Sequence, residues 1–188
     1  MSSISAQKSN AKVQPPLIDR ELFFGDPEIS GSQLSPDGKY MSFIKPLNGT
    51  RNIWVKKTDA AFETARPLTA DEKRPISSYF WSRNSKYILY VQDKGGDENF
   101  HVYAVSPTEK PEEGKEVPAS RNLTNKEHTR AYIYSVPKTN PDLLYVGLND
   151  RDQSWHDLYE LKISTGDLKL LRTNTDRITG WVFDRRDK

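Results

Sequence analysis

The stretch LSPDGKYMSF (residues 34–43) combines a tight polar turn with an alternating segment that follows it at once. Pro36 presets one backbone angle of a β-turn, Asp37 can accept a hydrogen bond from the backbone ahead of it, and Gly38 supplies a positive φ. Residues 40–44 then alternate between two faces with the two-residue period of a β-strand. The stretch therefore predicts a turn that leads directly into a strand.

Similar stretches return along the chain, as WSRNSKYILY (81–90) and VPKTNPDLLY (136–145), and FDRRDK (183–188) resembles the start of a fourth copy. In the second copy the turn keeps its chemistry while its residues change. The equivalent turn positions lie 47, 55 and 47 residues apart, and they are Ser35, Ser82, Pro137 and Asp184. A unit that recurs at this spacing indicates an internal structural repeat.

The second half of each unit also repeats. A polar or charged pair precedes an alternating strand in RNIWV (51–55), ENFHVYAV (98–105) and HDLYELKI (156–163). The motif RPLT (66–69) recurs as RNLT (121–124), with LLRT (170–173) as a looser third version. We align Ile53 with Phe100 and assign the long middle period to an insertion in the Pro- and Glu-rich loop 106–120, since surface loops tolerate added residues.

Each unit reads as four short strands, which in the first unit cover about 30–35, 39–45, 51–57 and 65–69. Four-stranded antiparallel units that repeat every 40–50 residues or so are typical of β-propeller blades. An ordinary β-sandwich also has closely spaced strands, but it gives no reason for the same order of turn, strand and polar pair to recur. The predicted fold class is all-β, an incomplete β-propeller of about three blades plus one strand.

The predicted organisation begins with a disordered lead-in and a short amino-terminal segment. These cover residues 1–16 and 17–28, and the partial propeller covers 29–188. The approximate blades are 29–69, 76–124 and 131–174, with the start of a fourth at 178–188. A chain that stops inside a repeat is expected to be truncated, and an open array leaves blade faces uncovered.

The composition excludes several classes of protein. The 188 residues carry a formal net charge of +2, which does not suggest a nucleic-acid or polybasic membrane surface. There is no cysteine, so disulfides and cysteine-ligated metal sites are excluded. No signal peptide or membrane span is evident, which predicts a soluble, cytoplasmic protein. No metal or cofactor motif is present, and we expect neither.

Longer strings resemble a known family. They are ELFFGDPEISGSQLSPDGKYMSFIKP (21–46), RNIWVKK (51–57), YFWSRNSKYILYVQDKGGDENFHVYAV (79–105) and YVGLNDRDQSWHDLYEL (145–161). Together they resemble the amino-terminal propeller of prolyl oligopeptidase family serine peptidases, most closely the bacterial dipeptidyl- and acylaminoacyl-peptidase-like branch. The resemblance runs from about Leu17 to the end. SPDGKY alone is also found in TolB-type propellers.

The resemblance implies that the propeller caps a carboxy-terminal α/β-hydrolase domain and admits short peptides to a Ser/Asp/His site there. This sequence has no G-x-S-x-G elbow. We therefore expect no catalytic residue here, an inactive chain when it is alone, and an absent hydrolase domain as the partner that supplies chemistry. The alternative is a non-enzymatic, TolB-like propeller that binds a protein partner; a carbohydrate- or metal-binding propeller is a third option.

The loop QDKGGDEN (92–99) is the first candidate site. The Gly95-Gly96 pair allows a sharp turn that we expect to expose Asp93, Asp97 and Glu98 together. In one interpretation Asp97 or Glu98 binds the cationic amino terminus of a peptide. In the other, turn chemistry alone explains these residues, and a third option is calcium, although the spacing does not match an EF-hand.

The segment NDRDQSWHD (149–157) is predicted to be the corresponding loop of the next blade. Its Asp150, Arg151, Asp152 and Asp157 can form a cluster of salt bridges that ties neighbouring loops together. Arg151 can equally reach a peptide carbonyl. Asp97, Glu98 and Arg151 are therefore the candidate substrate-binding residues.

Overall fold

The computed structural model describes residues 15–25, 27–184 and 186, so most of the predicted lead-in lies outside the described residues. One short helix, α1 (Glu21–Phe24), and one 3-10 turn (Phe62–Thr64) accompany twelve strands in this part of the chain. Helix α1 ends at Phe24, and Gly25 follows it in an extended conformation.

The strands form three sheets, which we call blades 1, 2 and 3. Blade 1 contains β1 (Ser30–Leu34), β2 (Tyr40–Leu47), β3 (Thr50–Lys57) and β4 (Arg66–Pro67). Blade 2 contains β5 (Tyr79–Trp81), β6 (Ile88–Gln92), β7 (His101–Val105) and β8 (Arg121–Asn122). Blade 3 contains β9 (Ala131–Ser135), β10 (Leu143–Asp152), β11 (Trp155–Lys162) and β12 (Leu168–Arg172).

Each sheet is antiparallel, and strands adjacent in the chain are adjacent in the sheet. This arrangement confirms the predicted fold class, an incomplete propeller of four-stranded blades. The described residues 178–184 contain no strand, and the start of a fourth blade there stays a prediction.

The first two turns share one hydrogen-bond pattern. Ser35 Oγ donates to Asp37 Oδ1 at 2.6 Å and accepts the N–H of Tyr40 at 3.0 Å. The same two bonds recur at 2.7 and 2.9 Å in the turn that spans 82–87. Ser85 there adopts a φ of +59°, at the position that the first turn fills with glycine. The chemistry of the turn is thus preserved although its sequence is not.

The threonines of the RPLT and RNLT motifs close their blades. Thr69 Oγ1 accepts the N–H of Ile53 at 2.9 Å, and Thr124 Oγ1 accepts the N–H of Val102 at 3.0 Å. Ile53 is therefore equivalent to Val102, and the alignment of Ile53 with Phe100 is wrong by two residues. The two additional residues of blade 2 lie in the connection between β6 and β7, which is longer than the connection between β2 and β3 in blade 1.

The arginines of the same motifs join successive blades. Arg66 of blade 1 donates to the carbonyls of Pro107 and Glu109 in blade 2, at 2.6 and 3.2 Å. Arg121 of blade 2 donates to the carbonyls of residues 163–164 in blade 3, at 2.9 and 3.1 Å. One arginine position thus crosses both blade interfaces in the same way.

The core consists of two clusters, one at each interface. Successive residues of β6 supply them alternately, because Ile88 and Tyr90 pack against blade 1 while Leu89 packs against blade 3. At the interface of blades 1 and 2, the buried residues are Ile44, Ile53, Val55, Leu68, Ile76, Tyr79, Trp81, Ile88, Tyr90 and Val105. At the interface of blades 2 and 3, they are Leu89, Val102, Ala104, Leu123, Ala131, Leu144, Val146, Leu148, Tyr159, Leu161 and Ile163.

Because the strands alternate in direction, one edge of the array carries the connection between the second and third strands of every blade. We call this edge the hairpin face. Its connections are 48–49, 93–100 and 153–154, and the links between blades run along the same edge. In the described part of the chain, no helix is long and apolar enough to cross a membrane.

Candidate functional site

The three candidate residues lie on the hairpin face. Asp97 and Glu98 lie in the loop 93–100, and Arg151 lies near the end of β10. The segment predicted to be a second loop is mostly strand, since β10 continues to Asp152 and β11 begins at Trp155. The structure thus brings the candidates to one edge of the array, on neighbouring blades.

Asp93 is buried, so the prediction that it is exposed is wrong. Its carboxylate accepts two hydrogen bonds from Arg74, from Nε at 2.8 Å and from Nη2 at 3.1 Å. Only 1% of its side chain is accessible. It also accepts the N–H of Glu98 at 3.3 Å. Since a charge leaves water only when it is paired, Arg74 explains the burial, and Asp93 anchors the loop from inside.

Asp97 shapes the turn itself. Its carboxylate accepts the backbone N–H groups of Lys94 and Asn99, at 3.2 and 3.0 Å, and the Asn99 side-chain amide at 3.3 Å. Lost hydration raises the pKa of Asp97, but the bonds from Asn99 and Lys94 outweigh it and hold the pKa below its ordinary value. These contacts agree with the turn-chemistry interpretation of this residue.

Glu98 is held in an uncommon backbone conformation. Its φ is +59°, in the left-handed region that non-glycine residues seldom occupy, and its N–H is bonded to Asp93. The side chain is exposed, and its carboxylate has no hydrogen bond or ion pair with any described residue. Strained residues that persist are often found at ligand-binding sites. The loop thus presents a negative charge at a defined place.

Arg151 pairs with a buried carboxylate, as Arg74 does with Asp93. Its guanidinium donates to both carboxylate oxygens of Asp157, at 2.7 and 2.8 Å, and to the carbonyl of Asn174 at 3.1 Å. The Asn174 N–H donates to Asp157 at 2.7 Å. The bonds from Arg151, together with that N–H, hold the pKa of Asp157 below its ordinary value.

Asp150 belongs to a separate group. It forms an ion pair with Lys126 and accepts the Tyr159 hydroxyl at 3.1 Å. Burial, followed by the charge of Asp150, raises the pKa of Tyr159 to about 12. The predicted salt-bridge cluster of segment 149–157 is therefore divided, with Asp150 held by the link that precedes blade 3 and Asp157 held within blade 3.

Arg130 was missed by the sequence reasoning. Its guanidinium carbon lies 5.0 Å from the ring centroids of both Phe100 and Tyr132. Its Nε is buried and has no hydrogen-bond partner among the described residues. The available signal was an arginine placed immediately before the aromatic strand AYIY (131–134), but the contact with Phe100 depends on the packing of blade 2 against blade 3.

A small aromatic cavity lies beside Arg130. Its volume is about 280 Å³. Its walls are Tyr132, Tyr134, Ser154, Trp155, His156, Ile178 and Thr179. The His156 ring lies 4.7 Å from the Tyr132 ring, and burial, with the nearby Arg130 charge, lowers the pKa of His156. The imidazole therefore favours its neutral form.

No family model matches the chain. It is 39% identical over 168 residues to dipeptidyl aminopeptidase BIII from Pseudoxanthomonas mexicana, covering 89% of this chain and 23% of that protein. It is 30% identical over 173 residues to dipeptidyl peptidase family member 6 from Caenorhabditis elegans, covering 89% and 22%. The chain thus spans less than a quarter of the length of these relatives.

Solved structures support the fold. A prolyl endopeptidase structure superposes with a TM-score of 0.54 at 15% identity, covering 79% of this chain and 22% of the other. A puromycin-hydrolyzing peptidase from Mycobacterium tuberculosis gives a TM-score of 0.51 at 19% identity, covering 77% and 22%. At these identities the likeness shows the fold alone.

Proposed function

Because the chain belongs to the prolyl oligopeptidase family, in which it matches part of the propeller region, we propose that it is the substrate-admitting part of a peptidase. The substrates of the whole protein are short peptides with a free amino terminus. The single observation that carries the proposal is the 39% identity to a dipeptidyl aminopeptidase over 89% of this chain.

The geometry of the hairpin face fits this role. A peptide amino terminus is a cation, and Glu98 presents an exposed carboxylate that no described residue neutralises. Asp97 contributes by holding the turn through its bonds to Lys94 and Asn99. Arg151, on the neighbouring blade, has a partly exposed guanidinium that can reach a peptide carbonyl while it remains paired with Asp157.

Chemistry is assigned to a hydrolase domain outside this chain. The sequence contains no G-x-S-x-G elbow, which α/β-hydrolases use to present the nucleophilic serine. His101 has a structural contact and no serine partner: its ring is buried, and its Nδ1 lies 2.8 Å from the carbonyl oxygen of Thr124. The chain alone is expected not to hydrolyse peptides.

A chimera tests the proposal directly. The matching residues of the Pseudoxanthomonas enzyme are replaced by the 168 aligned residues of this chain, and release of dipeptides from chromogenic substrates is measured. The chimera is expected to retain dipeptidyl release. A folded chimera that hydrolyses a small ester but releases no dipeptide would contradict the proposal, as would serine-inhibitor-sensitive hydrolysis by the isolated chain.

The role of Glu98 is tested in the same chimera. Glu98→Gln removes the charge but keeps the shape, and KM is expected to rise about tenfold or more because a charge-assisted bond is lost. Glu113→Gln is the matched control, since Glu113 is exposed in the loop 106–120 at the opposite edge of the array. An unchanged KM in Glu98→Gln removes Glu98 from the proposed site.

A further inference from the structure

The connection between β2 and β3 consists of two residues, Asn48 and Gly49. Their φ values are +51° and +86°, and Leu47 pairs with Thr50 directly across the turn. Positive φ at both central residues is the type I′ geometry, for which Asn-Gly is a preferred sequence. The tip of this hairpin lies on the hairpin face of blade 1.

Asn48 differs from most asparagines of the chain in its surroundings. Among the described asparagines, those that are buried or half-buried each form at least one side-chain hydrogen bond. Three are exposed, namely Asn48, Asn125 and Asn140. The Asn140 side chain accepts the N–H of Asp142 at 3.1 Å. The side chains of Asn48 and Asn125 have no hydrogen bond to a described residue, so their amides are free to react.

The residue that follows each exposed asparagine separates them chemically. Asparagine is thermolabile because the backbone nitrogen of the next residue can attack its side-chain carbon Cγ and displace the amide. Asn140 precedes a proline, whose nitrogen carries no hydrogen to release. Asn125 precedes Lys126, whose side chain crowds the attacking nitrogen. Gly49 has no side chain, so the nitrogen next to Asn48 is the least hindered.

The turn also leaves the attacking nitrogen available. The Gly49 N–H donates no hydrogen bond to a described residue, and Leu47 and Thr50 form the last pair of the β2–β3 ladder. Opening of the turn alone therefore brings the Gly49 nitrogen to Asn48 Cγ without unpairing the strands. Exposed loop tips open locally at a small cost in free energy compared with unfolding of the core.

We propose that Asn48 is a site of spontaneous covalent modification, at which the side-chain amide is converted to aspartate and isoaspartate. The Gly49 nitrogen loses its proton to base and attacks Asn48 Cγ. A C–N bond forms, the bond from Cγ to the amide nitrogen breaks, and ammonia leaves a succinimide ring. Water then opens the ring, at Cγ to give aspartate or at the backbone carbonyl carbon to give isoaspartate. Only water is consumed, so the reaction is independent of the proposed function.

The two products change the hairpin differently. Aspartate keeps the turn, because Asp-Gly is also a type I′ sequence, but it adds a negative charge to the hairpin face of a chain whose formal net charge is +2. Isoaspartate adds a methylene group to the main chain inside a two-residue loop. Since loop length sets the register of a hairpin, isoaspartate is expected to disturb the pairing of Leu47 with Thr50.

Peptide mapping of the folded chain tests the proposal. The chain is incubated in mildly alkaline buffer, which favours loss of the Gly49 proton, and samples are digested with trypsin and analysed by mass spectrometry. The peptide that contains Asn48 is expected to gain the mass difference between an amide and an acid first, and the peptide that contains Asn125 far more slowly. Isoaspartyl methyltransferase, which transfers a methyl group to isoaspartate, is expected to label the Asn48 peptide.

Glycine variants provide matched controls. Asn48→Gly keeps a type I′ turn, since Gly-Gly also adopts it, and is expected to abolish both the mass change and the methyl label in this peptide. Asn125→Gly removes the other exposed asparagine without a hydrogen bond and is expected to leave the conversion of Asn48 unchanged.

Three outcomes would overturn the proposal. They are equal or faster conversion at Asn125, no conversion of Asn48 in the folded chain within the period in which the urea-unfolded chain converts it, and full methyl labelling of Asn48→Gly. If Asn48→Gly does not fold, the map of the unaltered chain still decides, because it assigns each conversion to one residue.

Discussion

The two blade interfaces use different side chains for the same task. Between blades 1 and 2, aromatic residues carry polar groups into the core: the Trp81 Nε1–H donates to Ser42 Oγ at 2.8 Å, and the Tyr79 hydroxyl donates to the Gly31 carbonyl at 2.7 Å. Between blades 2 and 3, the core is almost entirely aliphatic. Directional bonds specify one interface, and close packing of aliphatic side chains dominates the other.

This difference shows how a repeat can diverge while its architecture is kept. The arginine that crosses each interface is common to both, and a threonine closes both blade 1 and blade 2. The residues between them vary, because a blade face needs only enough buried area and satisfied polar groups. The two kinds of interface should therefore respond differently to substitution and to pH.

The largest effect is expected from a cavity in the aliphatic interface. Leu144 is fully buried between blades 2 and 3, and Leu144→Ala should lower the free energy of unfolding by about 2–5 kcal/mol. Leu171→Ala is the control, since Leu171 on β12 is 41% exposed and should cost far less. Urea denaturation followed by circular dichroism measures both. Equal losses in the two variants would show that this interface is not the close-packed one.

A smaller loss is expected from a bond in the aromatic interface. Trp81→Phe leaves the Ser42 hydroxyl without its donor and should cost about 1–3 kcal/mol. A double-mutant cycle with Ser42→Ala isolates the pair, and the coupling should be positive because both groups are buried. Additive effects in the cycle would mean that this hydrogen bond does not specify the interface.

Alkaline pH should weaken the aromatic interface selectively. Burial raises the pKa of Tyr79 and of Tyr90 from 10.0 to about 12. The folded state therefore holds these protons more tightly than the unfolded state, so their contribution to stability is complete below pH 10 and is lost as pH rises towards 12. Denaturation midpoints across this range provide the measurement.

Phenylalanine variants provide the comparison for this pH dependence. The double variant Tyr79→Phe, Tyr90→Phe should flatten the alkaline loss more than Tyr159→Phe, because the interface between blades 2 and 3 has Tyr159 as its tyrosine with a pKa of about 12. A larger flattening by Tyr159→Phe would contradict the prediction, because it would place the alkaline sensitivity at the interface of blades 2 and 3.

The smallest difference concerns the shared arginines. Arg66→Met and Arg121→Met each remove bonds to two carbonyls and should cost about 1 kcal/mol, since both side chains are only partly buried. Arg121→Met should cause the larger loss of stability, because the Arg121 guanidinium also lies 5.2 Å from the centroid of the Tyr87 ring. Thermal unfolding of both variants is the measurement, and a larger loss at Arg66 would contradict this ranking.

Most of the fold was predictable because its determinants are local. The turn of residues 34–43 and its second copy form from bonds within a few residues, and alternation identifies the strands. The two-residue misalignment of Ile53 arose because strand register depends on the partner strand, which the local pattern does not identify. The hydrogen bond that the Val102 N–H donates to Thr124 Oγ1, 22 residues away in the chain, decides it.

The candidate site was predictable in position but less so in role. Repetition placed loop 93–100 and Arg151 at equivalent edges of neighbouring blades, and Asp97 behaves as turn chemistry predicts. Asp93 was mistaken for an exposed group because its partner, Arg74, precedes it by 19 residues and meets it only in the folded chain. Ion pairs between separate segments leave no periodic signal.

The sequence by itself therefore determined the first two turns, the strand period and the three four-stranded units of the described residues, because these follow from backbone preferences and side-chain alternation over short distances. The tertiary structure decided which charges are paired. Packing of blade 2 against blade 3 places Phe100 near Arg130, and it leaves that guanidinium without a described acceptor. Whether a charge is matched depends on all the groups around it in space, and only the folded chain brings those groups together.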